Sequence, residues 1–282
     1  PSRMLNTNVP GDLRYCLDTQ DKRDGLLLGT NSDSDANMVD VYDDFTVSAW
    51  IFLEQAPDTF SKVFGFDEAH SSQNGIGVRS NGRVFFSRSA VDAAGNNISG
   101  SAYNNYNVSD AALSYYKWHH ICVGYTNNSS IGADDGILRV AVNGVVTVDD
   151  IGPDLYANYK ALGGSETKEH YWASIGYAFH YAEGGFNGMI SNLTYWNANL
   201  SQANMLKLHN KGRRAPYGIA DSNLKNWWPL GVKSERLASC NNDAVEIRDM
   251  VGSAHGFLHD NVTADGLYAG TCPSIVPMPK LY

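Results

Sequence analysis

The sequence lacks an excess of basic residues, a membrane-spanning apolar run and a leader-like start. Lys and Arg number 21 against 30 Asp and Glu, which gives a formal net charge of −9. Without a basic stripe to release counterions, a nucleic-acid backbone is excluded as the partner. No stretch is long and apolar enough for a membrane span, and no charged-then-apolar segment opens the chain. We therefore expect a protein made without an export signal; a mature chain after cleavage and a trimmed chain are the alternatives.

Cysteine is scarce, and its spacing argues against a zinc site. The four cysteines, Cys16, Cys122, Cys240 and Cys272, include no C-x-x-C pair. Cys122 lies in an apolar run and is expected to be a buried thiol. Cys240 and Cys272 lie in loop-rich sequence and are the candidate disulfide, although a chain made without export disfavours any bridge.

Turn signals and β-branched runs fill the chain. The strongest of these signals lie at 117–150. There Asn143-Gly144 separates two apolar runs and predicts a type I′ hairpin, and a further strand is predicted before that hairpin. Asn81-Gly82 predicts another hairpin. One helix is predicted, with Ser201 as N-cap and Gly212 as its C′ residue. Further strands are predicted at 15–18, 25–29, 45–53, 62–66, 75–79, 84–88, 173–177 and 188–196. Such spacing is typical of a sandwich or barrel.

The ends of the chain set the domain organisation. Residues 1–14 are predicted to be an irregular arm, and 15–282 a single domain. The tail, 226–282, carries strand-like runs at 227–230, 245–249 and 256–258 and is expected to complete the sandwich. Three prolines in the last ten residues predict an end without regular structure: Pro273, Pro277 and Pro279.

The order of these blocks resembles the laminin-G-like branch of the concanavalin A-like jelly rolls, which also contains the pentraxins. The matching pieces are 45–50, 81–84, 118–121, 138–144, 175–176 and 186–196, followed by the helix. The resemblance implies an all-β fold, an antiparallel two-sheet jelly-roll sandwich with one short helix.

The tail adds a second resemblance. Trp227-Trp228-Pro229-Leu230, followed by 247–249 and 256–258, looks like the pattern that usually opens such modules, yet here it comes last. That order is similar to laminin-G-like structural proteins of marine tailed phages. The resemblance implies a virion protein made in the host cytoplasm, with an extracellular location as the alternative.

Catalytic motifs are absent from the sequence. Glycoside hydrolases need two converging carboxylates, and the related family's Glu-x-Asp-x-x-Glu strand does not occur. No nucleophile elbow is present, although composition alone leaves a Ser-His-Asp triad open. His119 and His120 suggest a metal, but neighbouring strand residues diverge, which favours a structural role. We therefore expect no enzyme.

Calcium is the cofactor that the resemblance implies. In pentraxins one ligand group follows the Trp strand, which here places Asp67 and Glu68. The second group falls at 177–183, which offers only Glu183, so the double site is expected to be lost and a single calcium ion remains open. The acidic loop 31–37 lacks the glycine and helices of an EF-hand, and a solvated turn is expected there.

Two long segments, 89–116 and 151–172, combine Tyr with Ser, Gly and Asn, which is the chemistry of adaptable recognition loops. A loop packed over one sheet is the alternative. The predicted glycan or partner contacts are Tyr103, Tyr106, Tyr156, Tyr159, Trp172, Tyr177, His180 and Tyr181.

The sequence thus predicts a non-enzymatic virion structural protein, a capsid decoration, spike or fibre-associated module. It would act through contact with other virion proteins or with itself, and through adhesion to host glycans. The alternatives are a secreted or cell-surface lectin-like module and, behind it, a polysaccharide-cleaving enzyme.

Overall fold

Strands make up most of the regular structure that the computed structural model describes. It describes residues 15–19, 25–28, 44–57, 60–65, 75–87, 106–107, 109, 111–126, 136–152, 173–176, 185–231, 245–258 and 274–277. The strands are β1 (Tyr15–Thr19), β2 (Leu26–Leu28), β3 (Phe45–Leu53), β4 (Phe60–Gly65), β5 (Gly75–Arg79), β6 (Val84–Ser87), β7 (Tyr106–Asn107), β8 (Trp118–Thr126), β9 (Gly136–Val142), β10 (Val145–Gly152), β11 (Ala173–Ile175), β12 (Gly188–Trp196), β13 (Leu224–Trp228), β14 (Val245–Ile247), β15 (Gly256–Leu258) and β16 (Ser274–Pro277). The helices are α1 (Gln202–Lys211) and a 3-10 turn (Asp221–Asn223).

The described strands form two eight-stranded sheets, and the paired strands are antiparallel. Sheet A has the order β10-β9-β8-β3-β12-β1-β16, and β13 also pairs with β12. Sheet B has the order β14-β15-β2-β11-β4-β5-β6-β7. The predicted two-sheet antiparallel sandwich with one α-helix is confirmed.

The main core lies between the sheets because each central strand turns alternate residues inward. In β3, Val47, Ala49 and Ile51 belong to this core, as the alternation predicts. Aromatic contacts join the two layers: the rings of Phe45 and Phe86 have centroids 5.9 Å apart. Sheet A therefore has one covered inner face and an outer face available to other elements.

Helix α1 covers part of that outer face. Ser201 caps the helix by accepting a hydrogen bond from the Asn204 N–H, and Gly212 ends it with φ 64°. The buried Met205 and Leu208 belong to a second core cluster that also holds Leu200, the residue before the N-cap, as in a hydrophobic staple. The other buried members of this cluster are Cys122, Ala141, Trp196, Ile219 and Leu224. The helix thereby fixes the position of the residues that follow it.

The hairpin between β9 and β10 turns at Asn143 and Gly144, with φ values of 51° and 79°. Both positive angles fit the predicted type I′ turn. A side chain at Gly144 would lie 2.9 Å from Cδ2 of His209, so the turn also lies directly against α1.

Replacing Gly144 with alanine is expected to lower the free energy of unfolding by about 2 kcal/mol. Alanine pays for the left-handed conformation, about 1 kcal/mol, and its methyl group collides with the His209 ring. Gly218→Ala is the matched control, because Gly218 has φ 81° but nothing within 4 Å of the added carbon. Urea unfolding measures both variants; equal losses would contradict the contact with His209.

The tail contributes to both sheets. β13 pairs with β12 in sheet A, whereas β14 and β15 form a hairpin whose second strand pairs with β2 in sheet B. The expectation that the final prolines exclude regular structure is wrong for β16. Pro277 is the last residue of this strand, at the edge of sheet A where β16 has only β1 as a neighbour. An edge strand tolerates proline because the missing N–H is not needed by a second neighbour.

The strand predicted at 227–230 begins and ends earlier in the structure, because β13 runs from Leu224 to Trp228. Pro229 has no N–H to donate, and Leu230 adopts a left-handed φ of 53°. Asp249, which we expected to end a strand, lies beyond β14 in the turn that leads to β15.

Candidate functional site

Most sequence-predicted site residues lie outside the described residues. The exception is Tyr106, which opens β7 and pairs with Phe86 at the edge of sheet B. The residues outside are Tyr103, Tyr156, Tyr159, Trp172, Tyr177, His180 and Tyr181 among the predicted contacts, and Asp67, Glu68 and Glu183 among the predicted calcium ligands. Cys240, Cys272 and the loop 31–37 also lie outside, so these predictions stay predictions.

The described residues that flank the two predicted calcium segments, and form their stems, all lie in or next to β4. Segment 66–74 joins Gly65 to Gly75, which are paired across β4 and β5. Segment 177–184 begins after Gly176 and returns at Gly185, which bridges Lys62 of β4. Lys62 and Gly65 are three residues apart, about 10 Å along a strand. The two stems therefore lie beside the same strand, at different levels along it.

The turn that precedes β8 presents a second candidate surface, and the structure describes all of its residues. Tyr115 and Tyr116 are 38% and 72% exposed, and Tyr116 has a left-handed φ of 58°. We call these two residues the tyrosine turn. The Tyr116 N–H donates to the Leu53 carbonyl at 2.8 Å, and the Ser114 carbonyl lies 3.0 Å from His119 Nε2. The turn is held at both ends while its rings face solvent.

The tyrosine turn lies at the opposite end of sheet B from the stem of 66–74. The Leu113 N–H donates to the Gly82 carbonyl, and Gly82 lies in the turn between β5 and β6. Gly65 and Gly75 pair at the far end of β4 and β5. The tyrosine turn and the stem of segment 66–74 therefore lie at opposite ends of the sandwich, whereas segment 177–184 leads back to Gly188, which pairs with Leu53 on the side of the tyrosine turn.

Trp118, two residues after the tyrosine turn, packs against a basic side chain. Trp118 is 7% exposed, and its ring lies 5.6 Å from that of Phe52. The Arg213 guanidinium carbon lies 5.0 Å above the Trp118 ring, a cation–π contact. The indole N–H of Trp118 is buried and has no hydrogen-bond partner among the described residues. This contact joins the start of β8 to the segment that follows α1.

Two carboxyl groups lie in the same neighbourhood, on strands far apart in sequence. Burial raises the pKa of Glu54, and the nearby charge of Asp18 raises it further. Burial, followed by Asp18, raises the pKa of Cys16 to about 12, whereas Arg213 lowers it. Asp18 is buried in β1 and Glu54 is half-buried just after β3. Sequence analysis missed this group because only the pairing of the strands brings the residues together.

His119 and His120 point to different partners, as neighbouring strand residues should. Asn143 Nδ2 lies 3.1 Å from His119 Nδ1. His120 Nε2 lies 2.7 Å from Ser48 Oγ, and its ring lies 5.3 Å from Trp50 and 5.7 Å from His209. Within the described residues no group of three His, Cys, Asp or Glu side chains is arranged to hold a metal.

Ser48 and His120 form a hydroxyl–imidazole pair like that of a nucleophile and its base, but their surroundings do not suit catalysis. Both side chains are buried, and His120 Nδ1 has no hydrogen-bond partner in the part of the chain that the structure describes. A triad needs an acid at that nitrogen to orient the ring. Burial, followed by the His209 charge, lowers the pKa of His120 to about 3. The pair therefore acts as a neutral packing contact beneath α1.

The two described cysteines, Cys16 and Cys122, are buried thiols that form no disulfide. Burial raises the pKa of Cys122 above its usual range, which makes the thiol unreactive, as its place in an apolar strand predicts. No helix among the described residues is long and apolar enough to cross a membrane.

The arrangement defines a concanavalin A-like jelly-roll sandwich that carries exposed aromatic residues at one end. The chain belongs to the concanavalin A-like lectin/glucanase superfamily, whose family profile matches residues 28–205. β13 to β16 lie outside the matched region and complete both sheets. No match was found among curated protein sequences.

Solved structures with a similar fold include a putative carbohydrate binding protein from Bacteroides ovatus. It is 14% identical with a TM-score of 0.53, and the alignment covers 87% of this chain and 58% of that one. A heptameric SAP-like pentraxin from Limulus polyphemus is 14% identical with a TM-score of 0.43, over 70% and 83% of the two chains. Domain 4 of an arabinanase from Geobacillus stearothermophilus is 16% identical with a TM-score of 0.39, over 59% and 66%.

Proposed function

We propose that the chain is a glycan-binding module that holds its ligand without cleaving it. The observation that carries the proposal is the tyrosine turn. A left-handed backbone at a bulky residue costs about 1 kcal/mol or more, and Tyr116, which adopts one, is 72% exposed. Such strain at an exposed aromatic residue is typical of a binding surface.

The chemistry of the turn suits a sugar. The apolar C–H face of a pyranose ring stacks on an aromatic ring, and a tyrosine hydroxyl can exchange hydrogen bonds with sugar hydroxyls. Tyrosine also provides this area at a small entropic cost. Family membership and the fold of the Bacteroides ovatus protein, which is described as a putative carbohydrate binding protein, support the same class of ligand.

The absence of cleavage is part of the proposal. The Ser48–His120 pair is buried beneath α1, and Asp18 is 5% exposed. A hydrolytic pair must reach the scissile bond from both sides, and we expect neither group to do so. Incubation with neutral and acidic polysaccharides, followed by a reducing-end assay, is expected to release no sugar.

Tyr116→Gly is expected to weaken glycan binding strongly while leaving the fold intact or more stable. Glycine removes the ring but accepts φ 58° without strain, so the free energy of unfolding should stay level or rise by up to about 1 kcal/mol. Losing an exposed aromatic anchor should weaken binding at least about 10-fold. Glycan arrays and urea unfolding of the same samples measure both effects.

The control for this variant is Leu206→Ala, which removes an exposed apolar side chain from α1. It is expected to bind glycans like the wild type. Unchanged binding by Tyr116→Gly, or equal losses in the two variants, would remove the tyrosine turn as the contact surface.

A virion location is the more specific proposal. The order of the tail supports it, because β13, β14 and β15 carry the motif that usually opens these modules, yet they follow the body of the family match. We expect the chain to decorate a particle assembled in the host cytoplasm and to contact other virion proteins or itself; an extracellular lectin-like module is the alternative. Binding of the purified chain to isolated capsids or tails tests this, and a failure to bind either would count against it.

A further inference from the structure

Basic residues collect beside the tyrosine turn although the chain as a whole is acidic. The net charge is −9, yet the two segments 115–118 and 211–214 carry basic side chains and no acidic ones. Their basic residues are Lys117, Lys211, Arg213 and Arg214. The stacking of Arg213 on Trp118 joins the two segments in space. This end of the sandwich therefore presents a local charge opposite to that of the whole protein.

Arg213 is held in a conformation that suits an anion. Its guanidinium lies over the Trp118 ring, which restricts the rotation of a long side chain before any ligand arrives. The planar fork of N–H groups matches the geometry of a carboxylate or sulfate. Less conformational entropy is then lost when the anion binds.

Trp118 supplies a second, independent observation. It is 7% exposed, and its indole N–H has no acceptor among the described residues. A buried donor without an acceptor is costly, and this donor belongs to the ring on which Arg213 lies. An anionic oxygen bound at this position would accept from it.

The acidic neighbours reduce this charge but do not reverse it. Asp18 and Glu54 lie near Arg213, since both influence the same buried thiol, Cys16. The two segments carry four basic side chains, of which Arg213 lies near these two carboxyl groups. Asp18 is 5% exposed, so it presents little surface to a ligand, whereas Lys117 and Arg214 are exposed.

We propose that the glycan held by the tyrosine turn is acidic, with a carboxylate or sulfate group that binds Arg213 and Lys117 while a sugar ring contacts Tyr116. The inference rests on the proposed function and names its ligand class. Uronic acids and sulfated sugars share the required chemistry.

Two pairs of probes separate charge from sugar identity. Oligogalacturonate and its methyl ester share a backbone but differ in the carboxylate, and sulfated carrageenan oligosaccharides are paired with neutral agarose oligosaccharides. Calorimetry is expected to show at least 10-fold tighter binding of the charged member of one pair. The pair that responds identifies the anion as carboxylate or sulfate, and the preference should shrink as salt rises.

Two variants test the residues. Arg213→Ala is expected to weaken binding of the charged probe about 10- to 100-fold and to leave the neutral member unchanged. Lys117→Ala removes an exposed side chain, so it keeps the test valid if Arg213→Ala unfolds when Trp118 is uncovered. The matched control is Arg248→Ala, which removes an exposed arginine directly after the end of β14 and should bind like the wild type.

The outcomes are distinguishable. Equal affinity for charged and neutral members, with binding still lost in Tyr116→Gly, overturns the acidic ligand and leaves the glycan-binding function standing. No binding of any probe or arrayed glycan overturns both. If Lys117→Ala and Arg248→Ala weaken binding of the charged probe equally, the probe is held only by general attraction to positive charge. That result would contradict the assignment of this site.

Discussion

Replacing Asp249 with alanine is expected to lower the free energy of unfolding by about 3–5 kcal/mol, which would leave little of the native state populated at 37 °C. The carboxylate is 5% exposed and accepts hydrogen bonds from one side chain and four backbone N–H groups. The donors are Asn226 Nδ2 and the N–H groups of Trp227, Val251, Gly252 and Ala254. The substitution leaves all five donors without this acceptor, and the bonds from Asn226, Trp227 and Ala254 are buried.

The position of Asp249 explains the size of the effect. Its bonds join β13, in sheet A, to the turn between β14 and β15, in sheet B. Asp249→Asn tests the charge at constant shape, and we expect a loss of intermediate size. Asp221→Ala is the matched control, because its exposed carboxylate accepts only from the Gly218 and Ile219 N–H groups in the described structure; its cost should be about 1 kcal/mol. Similar losses in Asp249→Ala and Asp221→Ala would contradict this account.

Stability is also expected to fall steeply below pH 6.5 because of His120. The folded protein lowers the pKa of His120 to about 3 from an ordinary value of 6.5. Above pH 6.5 the ring is neutral in both the folded and the unfolded state, so it contributes no pH dependence. Between pH 6.5 and 3 only the unfolded state binds the proton, and stability falls by about 1.4 kcal/mol per pH unit. The loss from His120 reaches about 2.7 kcal/mol at pH 4.5.

The choice of a control variant for this pH dependence follows from which neighbours of His120 also titrate. Ser48, Trp50 and Cys122 do not titrate in this range, whereas burial also lowers the pKa of His209. His120→Gln therefore keeps the contribution of His209 and of every carboxylate while removing that of His120. The difference in slope between wild type and His120→Gln, from urea unfolding at several pH values, should be about 1.4 kcal/mol per unit. Parallel slopes would show that His120 is protonated in the folded protein.

Local patterns predicted the elements of the fold well. The alternation in β3, the Asn143-Gly144 turn and the caps of α1 each depend on residues close in sequence, and the structure agrees. The error at Pro277 has a physical cause. Whether a proline is tolerated depends on how many neighbours a strand has, and a sequence does not show which strand will lie at an edge.

The candidate site was less predictable because it depends on pairing between distant segments. Nothing local to Trp118 or Arg213 shows that one will stack on the other. The Tyr-rich composition of 89–116 predicts a recognition segment, and Tyr115 and Tyr116, which carry the proposed contact, lie at its end. The left-handed conformation of Tyr116, however, depends on its bond to Leu53, and that contact has no signature in the sequence.

The central claim is that a rigid sandwich presents the tyrosine turn to an intact glycan. A crystal structure of the chain with the tightest-binding arrayed oligosaccharide tests it most directly. We predict an uncleaved sugar with one ring against Tyr115 or Tyr116 and its remaining contacts toward Arg213. A cleaved product, or a sugar bound only near the stems at Lys62 and Gly65, would contradict the account.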